Sequence, residues 1–229
     1  MLRAILKKAA AIDLFADDAP PVTARVKLAL FRNRCRAQGQ RNRLQMASVR
    51  AHRNLAMDIQ GDGNHLCLNG ELRDTTITIR GSNNRIRIDG TACLTWTDIS
   101  ILANDSEITV GAGTTILGKA SQPNVLLTRG EPSQIEIGRE CMFSYGIEVR
   151  TSDSHPIFDD QGTHINPSAN ILIGDHVWIG TRCLVLKGGS LGHGSILAAA
   201  SVLTRHIGER MIAAGIPAKV IREDIQWKR

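Results

Sequence analysis

The sequence predicts an all-β solenoid of stacked parallel coils, and two repeat patterns carry that prediction. In the second half of the chain, aliphatic residues recur every six positions without a slip. In the first half, paired segments of alternating apolar and polar residues recur 22 positions apart. Repeats of fixed length stack into a solenoid because each coil buries its apolar side against its neighbours.

The six-residue repeat predicts tight coils over 131–208. A small or medium residue stands two positions before most of the aliphatic ones, and residues two apart on a strand point to the same face. Both residues of each unit are therefore expected to point inward. The same register continues back through "IEIGRECMFSYGIEV" at 135–149. The aliphatic positions of the later units are Ile173, Ile179, Val185, Leu191, Leu197 and Leu203.

The 22-residue recurrence predicts looser β coils over 56–130. The segment "TTITIR" (75–80) returns as "TDISIL" (97–102). Likewise, "NRIRID" (84–89) returns as "SEITVG" (106–111). Segments that recur in this way are expected to lie on top of each other in neighbouring coils.

The β-helix domain is thus predicted to span 56–208, with a different structure at each end. Residues 1–55 show a helical tendency that is broken at a Pro-Pro pair, and they predict a basic helical N-terminal extension. Residues 209–229 predict a C-terminal cap made of a closing strand or turn and a short helix. A solenoid needs such ends because its open strand edges must be protected.

The composition agrees with thin stacked layers and argues against several protein classes. Only 3% of the residues are aromatic, so Ile, Val, Leu and Ala must fill the core. Five scattered cysteines argue against a disulfide framework and favour buried thiols in a reducing compartment. No apolar run approaches the length of a transmembrane helix, and the N-terminus lacks the order of a signal peptide. We therefore expect a cytoplasmic protein.

Positive charge is concentrated at the start of the chain. Residues 1–53 hold 12 Lys and Arg against 3 Asp and Glu, a net charge of +9, and the remaining 16 and 19 give −3. A solvated helix face or an oligomer contact accounts for this charge. The alternatives are contact with an acidic polysaccharide or peripheral contact with a membrane surface. No nucleic-acid motif accompanies the charge, so a nucleic acid is not an expected partner.

One histidine lies where the regular pattern stops, in the segment "RTSDSHPIFDD". His155 follows Val149 by six positions and precedes Ile173 by 18, so a strict register would make it an inward-pointing core residue. Pro156 and the irregular segment 157–170 instead indicate that the chain leaves the coil here. An imidazole exposed in such a loop has a usual pKa of about 6.5, which suits a general base at neutral pH.

The hexapeptide units, followed by "AAGIPAKVIRE", resemble the hexapeptide-repeat acyltransferases, which are left-handed parallel β-helix proteins that act as homotrimers. The segments "SDSHPI" (152–157) and "GDHVWIG" (174–180) are similar to one branch of that family. This branch contains galactoside and maltose acetyltransferases and the O-acetyltransferases of capsular polysaccharide and polysialic acid. The specific match covers about 135–222, and the looser coils before it are less typical of the family.

The resemblance also implies roles for individual residues. His155 matches the histidine that takes the proton from the acceptor hydroxyl, and Trp178 matches the tryptophan that borders the active-site groove. Lys219 and Arg222 match basic residues that meet the phosphates of coenzyme A. The other positions that the resemblance assigns to the coenzyme are Thr181, Ala199, Thr204 and Arg205.

Several of these residues, and some of their neighbours, have two interpretations. Asp153 either fixes the tautomer of the His155 ring or belongs to a turn or an acceptor contact. Trp178 is expected to point outward, where it lines a groove for the acceptor or pantetheine or packs against another subunit. Lys187 is either a solvated lysine or a phosphate contact. The residues expected to contact the acceptor are Ser144 and Tyr145.

Together these features predict an acetyl-CoA-dependent O-acetyltransferase that acts on a sugar hydroxyl of a polysaccharide, a capsule or O-antigen component, or a precursor. His155 would act as general base in direct transfer, in a groove between two subunits of a trimer. The histidines lack the spacing of a three-histidine zinc site, so no metal is expected. The first alternative is N-acylation of an amino-sugar nucleotide. The second is a non-catalytic solenoid scaffold that binds an acidic polymer.

Overall fold

The structure is a computed structural model that describes residues 10–12, 24–26, 32–46 and 52–229. These residues form 27 β-strands in three nine-stranded sheets, which we call A, B and C. No helix occurs among them, and so no helix long and apolar enough to cross a membrane. From residue 34 onward the chain visits sheets B, A and C in that repeating order, so each coil contributes one strand to every sheet.

The strands are numbered in chain order and grouped here by sheet. Sheet A contains β1 (Ala10–Ile12), β4 (Arg43–Met46), β7 (His65–Leu68), β10 (Arg85–Ile88), β13 (Glu107–Val110), β16 (Gln134–Ile137), β19 (Ile171–Ile173), β22 (Ser190–Leu191) and β25 (His206–Ile207). Sheet B contains β2 (Ala24–Val26), β3 (Arg34–Gln38), β6 (Ala56–Gln60), β9 (Thr76–Arg80), β12 (Thr97–Ala103), β15 (Asn124–Gly130), β18 (Glu148–Arg150), β21 (Leu184–Val185) and β24 (Val202–Leu203). Sheet C contains β5 (His52–Arg53), β8 (Glu71–Arg73), β11 (Cys93–Thr95), β14 (Thr115–Leu117), β17 (Met142–Phe143), β20 (Trp178–Ile179), β23 (Ile196–Leu197), β26 (Ile212–Gly215) and β27 (Ala218–Arg222).

Alternation along each strand builds a continuous core inside the coils. Inward positions such as Leu72, Leu94, Ile116 and Phe143 lie directly above one another and are fully buried, while their strand neighbours face outward. Complete burial of a side chain of this size contributes about 1.5–3 kcal/mol. The stack is therefore held together by rows of buried apolar side chains that occupy equivalent positions in successive coils.

The repeat patterns predicted the stacking correctly. The two copies of the 22-residue recurrence pair in parallel, with Thr76 opposite Asp98 and Arg85 opposite Glu107. In the tight coils, the aliphatic residues and their small partners are buried as predicted. Examples are Val177, Ile179, Cys183, Val185, Ser195, Leu197, Ser201 and Leu203.

The predictions for the two ends need correction. Strands β3, β4 and β5 are coil strands, so the helical extension over 1–55 is wrong for the described residues there, and the coils begin well before 56. The rest of that prediction lies outside the described residues. At the other end, β26 and β27 form an antiparallel hairpin, and no short helix is present in 209–229. Hairpin pairing covers the edge of β26 in sheet C without a helix.

The corner between sheets B and A, which we call the B–A corner, is sealed by a ladder of buried polar side chains. The side-chain oxygen of Asn64 accepts a hydrogen bond from the backbone N–H of Asn84 (3.0 Å), and that of Asn84 accepts from Ser106 N–H (2.9 Å). Ser106 Oγ accepts from Ser133 N–H (3.1 Å), and Ser133 Oγ lies 2.8 Å from Thr151 Oγ1. Each coil therefore satisfies a buried backbone donor of the next coil.

We call the corner between sheets C and B the C–B corner. In several coils one residue of this corner has a left-handed backbone, and it stands two positions before the first residue of the sheet-B strand that pairs with the neighbouring coils. The residues at this position include Asn54, Asp74, Trp96, Arg182 and Ala200, with φ between 48° and 57°. Asn and Asp adopt this conformation readily, whereas a residue such as alanine is strained by about 1–2 kcal/mol. The corner geometry is thus imposed by the stack, whatever residue stands there.

His52 should make the first described coils sensitive to acid. Its ring is fully buried, and neither nitrogen forms a hydrogen bond of good geometry within the described residues. Burial lowers its pKa from 6.5 to about 4, against smaller opposing effects of the Leu68 backbone and the Glu71 carboxylate. Between these values the unfolded chain binds a proton that the folded chain excludes. We expect stability to fall by about 3 kcal/mol as the pH drops from 7 to about 4, with little further loss from this group below that pH.

Urea unfolding at pH 7 and pH 4.5 would measure this dependence. In His52→Leu the component due to this residue should disappear. His206→Gln, which removes an exposed histidine, is the control and should leave the pH dependence of stability unchanged. An equal pH dependence in native protein and His52→Leu would contradict the assignment.

Candidate active site

His155 belongs to a long loop, residues 151–170, that projects at the B–A corner. Ile135 and Ile171 are neighbours in sheet A although they are 36 positions apart, whereas Ile86 and Ile108 are 22 apart. The loop is closed at its base, because Ala169 N–H donates to the Thr151 carbonyl (3.0 Å). The prediction that the chain leaves the coil near Pro156 is therefore confirmed.

The outer half of the loop is a small hairpin. Phe158 and His164 form an antiparallel bridge, and Ile165 N–H donates to the Ile157 carbonyl (2.9 Å). Asp159 caps the turn by accepting hydrogen bonds from the backbone N–H groups of residues 161 and 163. Three apolar side chains, Ile157, Phe158 and Ile165, remain more than half exposed. The hairpin is thus ordered by its own hydrogen bonds while its apolar side faces outward.

Asn166 joins both sides of this loop. Its Oδ1 accepts from Ile157 N–H and lies 3.0 Å from His164 Nε2. Its Nδ2 donates to the carbonyl of His155 (3.0 Å) and to the carboxylate of Asp153 (3.0 Å). Sequence reasoning missed this residue. The Asn-Pro pair in "HINP" was a local turn signal, but nothing in the sequence says that its amide reaches back across the loop.

Asp153 fastens the loop to the coil rather than to the ring of His155. Its carboxylate forms an ion pair with Lys187 Nζ at 2.6 Å, and Lys187 also donates to the Asn166 carbonyl (2.8 Å). The hydrogen bond from Lys187 holds the pKa of Asp153 below its usual range. Of the two interpretations of Asp153, the structure favours the structural one, and Lys187 is a loop anchor.

His155 itself is exposed, and its ring forms no hydrogen bond or ion pair with the described residues. Ser154, which precedes it, takes a left-handed backbone (φ 71°), and its hydroxyl accepts from the Arg150 guanidinium (3.0 Å). The backbone on both sides is therefore fixed while the imidazole is free to meet another molecule. That combination suits a residue that exchanges a proton with a bound substrate.

Trp178 lies on a different side of the coil from this loop. It is the first residue of β20 in sheet C and is 38% exposed, as the prediction that it points outward requires. Its ring centroid lies 6.0 Å from that of Trp227, which stacks on His176 at 4.0 Å and exchanges two 3.1 Å hydrogen bonds with it. Sheet C is opposite the B–A corner, so a single chain does not bring His155 and Trp178 together.

The residues predicted to contact the acceptor lie at the C–B corner. Ser144 and Tyr145 are half-buried there. The Lys119 ammonium sits 3.7 Å from the centre of the Tyr145 ring. Lys119 belongs to an insertion, 118–123, that the broken 22-residue rhythm could have signalled.

The predicted coenzyme residues fall into two groups. Thr181 and Ala199 lie at the C–B corner, one and two coils beyond Tyr145, and Ala200 N–H donates to the Thr181 carbonyl (2.8 Å). The others are exposed at the end of the stack: Thr204 and Arg205 at the B–A corner, and Lys219 and Arg222 on β27. The three cations form no ion pair within the described residues, so their charge is available to an anionic group.

Two grooves in the described part of the chain do not include His155. One of about 520 Å³ lies on sheet A and is lined by charged residues such as Arg87, Glu136 and Arg139. The other, about 540 Å³, lies beside the C-terminal tail and is lined by His176, His193, Arg210 and Trp227 among others. The surroundings of His155 are open in one chain, which agrees with a site that needs a second wall.

Comparison with known proteins links this geometry to enzymes. A polysialic acid O-acetyltransferase from Neisseria meningitidis is 28% identical over 172 residues, 68% of this chain and 80% of that protein. A galactoside O-acetyltransferase from Escherichia coli (strain K12) is 29% identical over 108 residues, 47% of this chain and 53% of that protein. The crystal structure of a polysialic acid-specific acetyltransferase matches with a TM-score of 0.76 at 29% identity, covering 86% of this chain and 89% of that one. No family model matches the chain. The predicted left-handed parallel β-helix is confirmed.

Removal of the Asn166 side chain should loosen the His155 loop without unfolding the coils. Asn166→Ala loses four side-chain contacts, each worth about 0.5–1.5 kcal/mol, so local opening should become at least about tenfold more frequent. Hydrogen exchange at the amides of Ile157 and Ile165 would report it. Thr163→Ala is the matched control, because that hydroxyl forms no hydrogen bond within the described residues. Equal exchange in both variants would rule out the bracing role of Asn166.

Proposed function

We propose that the chain transfers an acetyl group from acetyl-CoA to a sugar hydroxyl of a polysaccharide, because the proteins to which it is similar are named acetyltransferases of such acceptors. The observation that carries this proposal is the braced loop that exposes His155 at the break in the coils. Two relatives that overlap most of the chain are named for acetyl transfer to polysialic acid, which supports a polymeric acceptor over a free sugar.

His155 acts as general base in this proposal. A sugar hydroxyl is a poor nucleophile at neutral pH, and transfer of its proton to a neutral imidazole in the transition state accelerates the attack by about 10²–10⁴-fold. The hydroxyl oxygen forms a C–O bond with the thioester carbonyl carbon, and the C–S bond breaks. The proton then passes from the imidazolium to the departing thiolate, so the imidazole returns to its neutral form without an acyl-enzyme.

The residues at the end of the stack fit coenzyme A. Arg205, Lys219 and Arg222 are exposed cations without a carboxylate partner in the described residues, which is the chemistry that phosphate groups need. Thr181 and Ala199 present two small side chains at the C–B corner, which suits the pantetheine arm. When bound, the coenzyme would supply the acetyl thioester and the thiolate leaving group.

The site is proposed to lie between two subunits of a homotrimer. His155 projects from the B–A corner, whereas Trp178, Tyr145 and Thr181 lie on sheet C or at the C–B corner. A neighbouring subunit would bring these two sides together, with the loop of one chain facing the coils of the next. The apolar side of the loop hairpin would then gain the cover that it lacks in one chain.

A cytoplasmic location is part of the same proposal. All five cysteines are free thiols, and Cys35, Cys141 and Cys183 are buried. Burial raises the pKa of Cys35 and of Cys141 to about 11, so both remain protonated and unreactive at neutral pH. Such thiols suit a reducing compartment, where acetyl-CoA is also made.

Replacement of His155 tests the chemistry. His155→Ala should lower acceptor-dependent thiol release from acetyl-CoA at least about a hundredfold, the usual scale for loss of a general base. The assay uses a panel of mono-, oligo- and polysaccharides, with acetyl-CoA binding measured on the same samples. His65→Ala is the matched control, because His65 is an exposed histidine on sheet A far from the loop.

The outcomes of this assay are distinct. Equal rates of thiol release in native protein and His155→Ala would contradict the role of His155 as general base. Tight acetyl-CoA binding without release on any saccharide would argue against sugar transfer. No acetyl-CoA binding would favour the scaffold alternative.

Mixed oligomers test the shared site. His155→Ala and Trp178→Ala are each expected to be impaired. In randomly mixed trimers with head-to-tail contacts, about a quarter of the sites pair an intact loop with an intact coil wall. Co-expression of the two variants should therefore restore about a quarter of native activity. Co-expression of His155→Ala with His155→Phe is the control and should restore none. Activity no higher than that of the separate variants would place the whole site in one chain.

A further inference from the structure

Trp96 occupies a backbone position that is unfavourable for its side chain. It stands at the left-handed position of the C–B corner with φ 48°, where the two preceding coils have Asn54 and Asp74. Asn and Asp tolerate this conformation because their short side chains bond locally, whereas a bulky aromatic residue is an outlier there. Strain of this kind persists only where the surrounding structure over-determines the backbone, and it clusters at functional sites.

The strained backbone is held firmly while the ring is exposed. Trp96 N–H donates to the Arg73 carbonyl (3.1 Å), and the Trp96 carbonyl accepts from Asn124 N–H (3.0 Å). The Trp96 side chain is nevertheless 39% exposed. The neighbouring coil adds Leu117, which is 44% exposed. A large apolar surface is therefore presented outward on a rigid support.

The same corner carries an insertion that contains a cation, Lys119. Residues 118–123 lengthen the coil, so that Thr115 and Met142 pair at a distance of 27 positions, against 22 for Cys93 and Thr115. A Cβ on Gly118 would clash with the Trp96 carbonyl oxygen and lie 3.0 Å from the Trp96 Cβ, so the insertion starts directly against the backbone of Trp96.

Lys119 follows in this insertion and is exposed. Its ammonium lies over the ring of Tyr145 (3.7 Å to the ring centre) and forms no ion pair within the described residues. Lys119 and Gln122 exchange two backbone hydrogen bonds of 3.1 and 2.9 Å, which fix the turn that carries the ammonium.

We infer that Trp96, Leu117, Lys119 and Tyr145 form a binding platform for a segment of a carboxylate-bearing polysaccharide. The apolar face of a sugar ring can pack on an exposed indole, and a carboxylate of the same polymer can form a charge-assisted hydrogen bond with Lys119. Exposed Arg182, one coil beyond Tyr145, adds a second positive charge. A protein partner of mainly apolar character would leave Lys119 unsatisfied.

The platform rests on the proposed function, because it would hold the polymer that carries the reacting hydroxyl. Trp96 and Thr181 stand at the same corner three coils apart, about 14 Å at the usual strand spacing. A polymer that reached the coenzyme corner could therefore also lie on the platform. Such remote binding raises the local concentration of acceptor, so its loss should increase KM and leave kcat unchanged.

Trp96→Asn tests the platform, because asparagine suits the left-handed backbone and removes only the ring. Polysialic acid is the charged probe and dextran the neutral one, with binding measured by calorimetry in the absence of acetyl-CoA. We expect polysialic acid to bind about tenfold more weakly to Trp96→Asn and to Lys119→Ala, the scale of one aromatic or charged contact. KM for the polymer should rise similarly, while kinetics with a disaccharide stay unchanged. Asp74→Asn, at the same corner position one coil away, is the matched control.

Three results would overturn the platform. One is unchanged polysialic acid binding in both variants. Another is a change in sedimentation of Trp96→Asn, which would make the surface a subunit contact. The third is a native protein that binds polysialic acid no more tightly than dextran. If polysialic acid binding depends on Trp96 but no acetyl group is transferred, the platform is retained and the proposed function is rejected. If acetyl transfer occurs but binding is unchanged in the variants, the proposed function is retained and the platform is rejected.

Discussion

The structure depends on one constraint: every coil must satisfy the buried backbone donors at the corners of its neighbour. At the B–A corner this is done by one unbroken ladder of side chains, from Asn42 through Asn84 to Thr151. A buried backbone donor left unpaired costs about 1–3 kcal/mol. A coil is therefore held in the regular geometry wherever its side chain accepts a hydrogen bond from the next coil. Thr151 is the last rung, and the loop that exposes His155 begins there.

The same constraint governs the insertion at the C–B corner. There the inserted residues 118–123 are followed by Asn124, whose side-chain amide forms hydrogen bonds with the backbone of the next coil. Its Oδ1 accepts from Ile147 N–H (2.8 Å), and its Nδ2 donates to the Ser144 carbonyl (2.9 Å). The insertion therefore disturbs neither neighbouring coil. Both departures from the regular path leave the corner hydrogen bonds of the neighbouring coils intact, which makes each one a rigid support for exposed side chains.

The sequence predicted what is periodic and missed what is specific to one coil. The core positions, the stacked recurrences and the loop at Pro156 follow from alternation and from a break in it. The sequence predicts a helical extension in place of the first coils because Arg and Gln fill their outward positions and hide the apolar alternation of Cys35 and Ala37. The bracing by Asn166 joins residues across an irregular loop, and no period connects such residues. The resemblance supplied His155, but the structure had to show what holds it.

A triangular stack also limits where a catalytic site can form. The inside of the coil is filled by aliphatic rows, so no pocket can open there without a loss of core packing. The outward faces are flat, and the B–A corner that carries His155 lies opposite sheet C, which carries Trp178. The residues proposed as base, coenzyme surface and acceptor platform lie on different sides of the stack, so one chain does not bring them together. A fold of this kind gains a concave site most directly when the corner of one copy faces the side of another. The exposed His155 and the open surroundings of its loop agree with the proposed site between two subunits.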